Sequence, residues 1–177
     1  MAVKTFVMTS LSLSLRLITA HDNPSIAHII REVSSEFGLG PTKGFAVGDQ
    51  HLDDLYQFYQ QEQAAYWVVV DAQDQVYGGG GISNLKGDAR YSELQKMYLL
   101  PAARGQGLAK QLVQRALDFA VAHNKLGCYL ETTPLLSQAH QLYQGLGFET
   151  LKAPLGQTGH SQACPIWMLK SFDSTTH

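Results

Sequence analysis

The sequence has few cysteines and no pattern of metal ligands. Two cysteines, Cys128 and Cys164, occur among 177 residues, and neither belongs to a CxxC. This usage is typical of a reducing compartment and gives none of the ligand spacings of a zinc site. The seven histidines include no HExxH pair. We therefore expect a cytoplasmic protein without a resident metal ion.

A strong charge of either sign is also missing. The chain has 13 Lys and Arg against 15 Asp and Glu, for a net charge of −2, and its basic residues form no run longer than a pair. Proteins that bind nucleic acid normally present a basic face to the phosphates. The sequence therefore predicts no nucleic-acid partner.

Long apolar runs are absent as well. No stretch of about 18 apolar residues occurs, so we expect no membrane span. From Leu11 to Leu17, leucine alternates with Ser12, Ser14 and Arg16. A secretory signal requires an unbroken apolar run, whereas this alternation is the period of a strand with one buried face. It predicts a strand over Ser12 to Ile18.

The hydrophobic residues that are present make up 45% of the chain, enough for one compact domain over residues 1–177. Apolar spacing predicts a helix that starts near Asp22 and ends before Gly38, and a weaker helix from Asp53 to Gln63. Two β-rich runs, Tyr66 to Val70 and Val76 to Ser83, form a predicted hairpin.

Four consecutive glycines, Gly78 to Gly81, lie inside the second arm of that hairpin. They are open to two interpretations, a strand that bulges or is closely approached, and an anion-binding loop. No helix follows them, which favours the strand.

The second half of the chain has a strand–helix–strand order. A strand over Glu93 to Leu100 precedes an amphipathic helix that opens near Leu108, and Cys128 to Thr132 returns as a strand. A right-handed crossover makes two such strands parallel neighbours. A short helix over Ser137 to Leu146 and a last strand over Ile166 to Lys170 complete a mixed α/β fold of the α+β type. We expect six or seven strands and about four helices.

The turn between this strand and helix, Arg104 to Ala109, contains two glycines. Glycines let backbone amides approach a ligand closely, and a helix start adds partial positive charge, so the turn suits a pyrophosphate. An ordinary tight turn has the same composition. The turn matches neither GxxxxGK[ST] nor GxGxxG.

Two motifs in this region together resemble the GNAT acetyltransferase family. The family motif [Q/R]-x-x-G-x-[G/A] is met by Arg104, Gly107 and Ala109, and A-x-x-L-Y-x-x-x-G-F is met by Ala139 to Phe148. The resemblance implies a mostly antiparallel sheet with helices on both faces and a central, splayed parallel strand pair. It also implies an acetyl-CoA-binding core over about residues 91–151.

The resemblance further implies how acetyl-CoA, as co-substrate, would be held. Main-chain groups of Met97, Tyr98 and Leu99 would pair with the pantetheine arm as an added strand does. The pyrophosphate would lie on the glycine turn and helix start. The cofactor-binding residues implied at this turn and helix start are Arg104, Gly105, Gln106, Gly107, Leu108, Ala109 and Lys110. Ala139, on the later helix over Ser137 to Leu146, is implied as well. Leu136 stands where the family often has Asn, three residues before Ala139, so one side-chain contact to the cofactor differs.

Acyl transfer to an amine requires a base, because an alkylamine with a pKa near 10.4 is almost entirely protonated at pH 7. Glu93, at the start of the strand beside the cofactor, is the candidate base, directly or through water; its alternative is a surface strand residue. Glu131, on the neighbouring strand, is the candidate for attracting the cationic amine.

The departing thiolate benefits from a proton donor, and Tyr143 matches the general-acid tyrosine of the family. Its alternative is a core tyrosine on an apolar helix face. Cys128 is either the nucleophile of a two-step transfer or a buried inert thiol, and burial favours the second.

The sequence thus predicts an N-acetyltransferase that uses acetyl-CoA to acetylate a primary amine by direct transfer. A small-molecule amine is favoured over a protein or peptide, with Gly38 to Asp54 and Gly156 to Gln162 shaping its pocket. A non-catalytic acyl-CoA-binding module is the alternative, and a nucleotide-binding regulator is disfavoured. A homodimer is common for this fold.

Overall fold

The computed structural model describes residues 11–41 and 44–172, so the ends of the expected 1–177 domain lie outside the described residues. The strands are β1 (Ser14–Leu17), β2 (Ala65–Val70), β3 (Val76–Asn84), β4 (Ser92–Leu99), β5 (Gly127–Thr132), β6 (Glu149–Thr150) and β7 (Ile166–Ser171). The α-helices are α1 (Asn23–Glu36), α2 (Leu55–Phe58), α3 (Leu108–Ala122) and α4 (Ser137–Gly145).

The strands form one sheet in the order β1-β2-β3-β4-β5-β7-β6. In the described part of the chain, β4 and β5 are parallel and the other neighbouring pairs are antiparallel. The predicted mixed, mostly antiparallel sheet with a central parallel pair is confirmed. The parallel pair follows from the crossover through α3, which returns the chain in the direction of β4.

Helices cover both faces of the sheet, which explains why every residue of β2 is buried. Side chains alternate between the two faces of a strand. Tyr66 and Val68 belong to the core cluster beneath α1 and α2, whereas Trp67 and Val69 belong to the cluster that includes α3 and Tyr143 of α4.

Two predicted elements are shorter than expected. The strand over Ser12 to Ile18 is reduced to Ser14–Leu17, which lies at the edge of the sheet as described and pairs with β2. Leu17 there is 59% exposed. The helix over Asp53 to Gln63 is reduced to α2. The amide of Tyr56 donates to Asn23 Oδ1 at 2.8 Å, so docking on α1 fixes this segment rather than a long run of helical residues.

The four glycines lie in β3, as the strand interpretation predicts. A Cβ on Gly80 would collide with Met97 Sδ, and one on Gly79 would lie 2.5 Å from the Trp67 carbonyl oxygen. The register between β3 and β4 shifts between Gly79 and Gly81. Glycine is therefore required because neighbouring strands approach closely at a bulge.

The parallel pairing of β4 with β5 is short. It joins Ser92 with Cys128 and Glu93 with Tyr129, and no further pair is formed between the two strands as described. From Leu94 onward they diverge, which opens a cleft at the centre of the sheet.

No helix in the described residues is long and apolar enough to cross a membrane.

Candidate active site

The glycine turn leads directly into α3. Gly105 has φ 73° and Gly107 has φ 76°, left-handed values that side chains rarely adopt, and a Cβ at either position would meet no atom within 4 Å. The amide of Gln111 donates to the Gly107 carbonyl at 3.1 Å. The amides that precede Gln111 at the helix start lack an intrahelical acceptor. The turn thus exposes backbone donors beside open space, which fits a pyrophosphate.

Arg104, at the start of the turn, is held by the protein itself. Its guanidinium donates to both Glu36 carboxylate oxygens at 2.7 Å, and Nε donates to the Leu99 carbonyl at 2.9 Å. These bonds fix the turn to the end of α1 and to the end of β4. Arg104 therefore shapes the turn through its side chain.

The edge of β4 that faces β5 is open where the two strands diverge. Tyr98 and Leu99 pair with Gly79 and Gly78 on the β3 side. In the described structure, the pairing with β5 stops at Glu93. The main-chain groups of Met97 to Leu99 that bond neither to β3 nor to Arg104 therefore form an open strand edge at the cleft, which can accept an extended ligand.

A cavity of about 530 Å³ lies in this cleft and brings the predicted catalytic residues together. Both segments expected to shape the substrate pocket contribute to it, except that Thr42 and Lys43 lie outside the described residues. The predicted site residues along its wall are Glu93, Met97, Tyr98, Glu131 and Tyr143, and Leu136 joins them. Ala139 is half-buried and packs against the core cluster that contains Tyr143.

Glu93 is a buried carboxyl group, 7% exposed, so it is no surface residue. Gln95 Nε2 donates to Glu93 Oε2 at 2.7 Å, and the Tyr59 hydroxyl donates to Gln95 Oε1 at 2.9 Å. Burial raises the pKa of Glu93 to about 7, against the opposing effect of the Gln95 hydrogen bond. A carboxylate with a pKa near the working pH has the strength expected of a general base.

Glu131 lies in the same cavity in a different environment. Its Oε1 accepts hydrogen bonds from the Tyr129 hydroxyl at 2.7 Å and from Ser161 Oγ at 2.6 Å. Its Oε2 accepts one from Thr158 Oγ1 at 2.7 Å. Three of about four lone-pair positions of the carboxylate are thus occupied. Glu131 anchors the loop between β6 and β7 and adds negative charge to the cavity.

Tyr143 is 7% exposed, on the inner face of α4, and its ring centroid lies 5.8 Å from that of Phe148. Burial raises the pKa of its hydroxyl above the ordinary value of 10, so the group stays protonated at neutral pH. None of the hydrogen bonds found among the described residues involves that hydroxyl. A protonated donor at the cavity wall fits the role of a general acid.

The two cysteines are poorly suited to nucleophilic attack. Burial raises the pKa of Cys128 to about 12 and that of Cys164, which lines the cavity, to about 11. A thiol with such a pKa is almost entirely protonated at neutral pH, and the thiolate is the nucleophile.

Sequence reasoning missed a charged group that the fold assembles at the cavity. Asp49, from the segment between α1 and α2, contacts Lys96 of β4 at 2.5 Å and His160 of the β6–β7 loop at 3.2 Å. Asp49 and His160 lay inside the two segments expected to shape the pocket, but no motif marks them. Three distant segments meet here, which residue spacing does not reveal.

A splayed parallel strand pair beside an amide-rich helix start defines a class of acyl-CoA-dependent transferases. The model of the acetyltransferase (GNAT) family matches residues 29–148, and the chain belongs to that family. The N-acetyltransferase YjgM of Escherichia coli (strain K12) is 50% identical over 159 residues, covering 89% of this chain and 94% of YjgM.

One further relative and one solved structure with a similar fold are informative. Human N-acetylaspartate synthetase is 34% identical over 106 residues, which cover 58% of this chain and 34% of that protein. The acetyltransferase yncA of Salmonella typhimurium, solved with its cofactor acetyl-CoA, has a TM-score of 0.70 at 16% identity, over 94% of this chain and 97% of that one. The protein is thus an acyltransferase with the GNAT fold, as the sequence predicts.

Proposed function

We propose that this acyltransferase uses acetyl-CoA to acetylate a primary amine of a small molecule by direct transfer. The observation that carries the proposal is that Glu93 and Tyr143 line the same cavity, which lies where β4 and β5 diverge. At neutral pH the Glu93 carboxyl group can be ionised, which suits it to accept a proton. The Tyr143 hydroxyl is protonated, which suits it to donate one.

Acetyl-CoA, when bound, would supply the activated acetyl group. The amides at the start of α3 would hold its pyrophosphate, and the open edge of β4 would pair with its pantetheine arm. Glu93, oriented by Gln95, accepts the proton that the amine loses as it attacks. Tyr143 donates a proton to the leaving sulfur. Glu131 favours the approach of a cationic amine.

Direct transfer is favoured over an acetyl-cysteine intermediate because Cys128 and Cys164 are protonated thiols. Replacement of Cys128 by Ala should therefore leave kcat within a few-fold of wild type. Complete loss of transfer in a folded Cys128→Ala protein would support the two-step route instead.

A non-catalytic acyl-CoA-binding module would keep the glycine turn without a matched base and acid. A buried Glu93 and a Tyr143 that line the same cavity argue against this alternative, even though Leu136 replaces the polar residue frequent in the family. A small acceptor is favoured by the size of the cavity, about 530 Å³. N-acetylaspartate synthetase, a relative over part of the chain, is named for an acetylated amino acid, which makes amino acids one set of candidate acceptors.

Two measurements test the proposal. Acetyl-CoA or CoA should raise the melting temperature, because a ligand at a hundredfold excess over its Kd stabilises the native state by about 2.7 kcal/mol. ATP and NAD should do much less, and an equal shift from ATP would contradict the cofactor assignment. A thiol-release screen over amines, polyamines, amino acids and peptides then identifies the acceptor. The expected homodimer stays a prediction, which light scattering in solution tests.

A further inference from the structure

Two cationic side chains share one carboxylate at the wall of the cavity. Asp49 Oδ2 lies 2.5 Å from Lys96 Nζ, and Asp49 Oδ1 lies 3.2 Å from His160 Nε2. The other ring nitrogen of His160, Nδ1, lies 2.6 Å from the Gly44 carbonyl oxygen, which only accepts hydrogen bonds. A ring that donates from both nitrogens is an imidazolium.

The charge of this group does not cancel. The hydrogen bond to Asp49 raises the pKa of His160, and the pKa of Asp49 is lowered by His160 and Lys96 in spite of its burial. With both cations charged, one carboxylate leaves a net charge of about +1. Lys96, His160 and Asp49 all line the same cavity as Glu93. We call these three residues the cationic group.

Lys96 is held in place as a buried cation. Its side chain is 8% exposed, and its Nζ lies 5.7 Å from the centroid of the Phe58 ring. Its backbone has φ 51°, and the Tyr66 hydroxyl donates to its carbonyl at 3.0 Å. An ammonium group has three donors, and Asp49 is the acceptor found for it among the described residues. Further acceptors for a buried ammonium are strongly favourable.

The cationic group acts on the reacting end of the cavity. The charge of Glu131 raises the pKa of Glu93, and the charges of Lys96 and His160 lower it, so all three groups lie within electrostatic range of that carboxyl group. A substrate amine at Glu93 therefore places the rest of the molecule within reach of the cationic group. An uncharged or cationic tail gains nothing there, whereas an anionic tail is attracted.

We propose that the acceptor carries a carboxylate as well as its amine, and that Lys96, with His160, binds this carboxylate. The acceptor class is then the amino acids and similar small zwitterions. This inference rests on the proposed function in that Glu93 marks the end where the amine reacts. It assigns to Lys96 a role in substrate specificity.

The test uses matched ligands and the CoA-saturated protein. The twenty L-amino acids are titrated by calorimetry, and each one that binds is compared with the amine in which hydrogen replaces its α-carboxyl group, such as 2-phenylethylamine for phenylalanine. We expect at least one amino acid to bind about 10-fold or more tightly than its counterpart, as a charge-assisted hydrogen bond requires. Binding of none of them, or equal binding within the pairs, overturns the inference.

Two variants separate recognition from a structural link. Lys96→Met keeps the apolar stem and should erase the difference within a pair. Asp49→Asn removes the carboxylate that competes for Lys96, so it should keep or increase the preference. If Lys96 only links β4 to the loop, both variants lose affinity together, for amino acids and for amines alike, and the inference is wrong.

Thiol release from acetyl-CoA then distinguishes this inference from the proposed function. If amino acids bind through Lys96 but no amine in the screen releases thiol from acetyl-CoA, the proposed function is wrong and the carboxylate site remains. Turnover confined to amines without a carboxylate would keep the proposed function and overturn the carboxylate site.

Discussion

Gln95 donates a hydrogen bond of 2.7 Å from Nε2 to Glu93 Oε2, from a position two residues along the same strand. Residues two apart lie on the same face of a strand, so this contact is local. It leaves Glu93 with a protein donor on one oxygen and its other oxygen for the cavity. The donor stabilises the ionised form and opposes the effect of burial on the pKa of Glu93.

Glu93→Gln should lower kcat/KM most at neutral pH. The wild-type activity should rise with pH as Glu93 loses its proton, at a pKa of about 7. The deficit should shrink towards pH 9 to 10, where more of an alkylamine with a pKa near 10.4 is already neutral. A pH–rate profile of both proteins checks this. A deficit that is constant across pH would make Glu93 a positioning residue.

Gln95→Met should move the acid limb of the wild-type profile to higher pH. The substitution keeps side-chain length and removes the donor that lowers the pKa of Glu93. The activity at the alkaline plateau should change much less than in Glu93→Gln. An unchanged limb in a folded Gln95→Met protein would show that this hydrogen bond does not tune the base.

The same carboxyl group should affect stability with a definite sign. Because the pKa of Glu93 is raised from 4.5 to about 7 on folding, the native state holds a proton that the unfolded state releases in this interval. Stability is therefore lost as the pH rises from about 4.5 to 7, by up to about 3 kcal/mol. Glu93→Gln should be more stable than wild type at pH 8 and similar at pH 4.5, by urea unfolding. The exposed Glu149→Gln is the control and should show no such difference.

Tyr143→Phe should separate catalysis from packing. The ring stays in the core, and its hydroxyl has no partner among the described residues, so stability should change by less than about 1 kcal/mol. If Tyr143 donates a proton, kcat should fall about 10²-fold with CoA affinity within a few-fold of wild type. Tyr77→Phe is the control, since it also removes a tyrosine hydroxyl, one that bonds Asp71 and does not line the cavity. It should leave kcat unchanged. Wild-type kcat in Tyr143→Phe, measured where chemistry limits the rate, would remove this residue from the mechanism.

Gly107→Val should abolish CoA binding. Gly107 has φ 76° and open space around its Cβ position, so valine adds strain and places methyl groups where a ligand would reach the amides. Gly38→Val is the matched control, because Gly38 has φ 71° and equally open surroundings at the end of α1. Both variants should lose about 1–2 kcal/mol of stability, and only Gly107→Val should lose CoA. Normal CoA affinity in Gly107→Val would place the pyrophosphate elsewhere.

The sequence by itself determined the features that local geometry controls. The order of strands and helices around α3 follows from apolar periodicity and the crossover rule. The glycine turn before Leu108 and Tyr143 of the second motif can be recognised from the residue types and their spacing alone. Longer-range docking holds the start of α2, because Asn23 Oδ1 of α1 accepts a hydrogen bond from the amide of Tyr56.

Only the tertiary structure decided the charge state of the cavity. The pKa of Glu93 depends on its burial in the folded protein, and the three donors of Glu131 include Thr158 and Ser161 from a late loop. Asp49, Lys96 and His160 come from three segments, and both cationic groups lie within 3.2 Å of the Asp49 carboxylate. Desolvation and Coulomb energies depend on distance in space, and spacing along the chain carries no record of either.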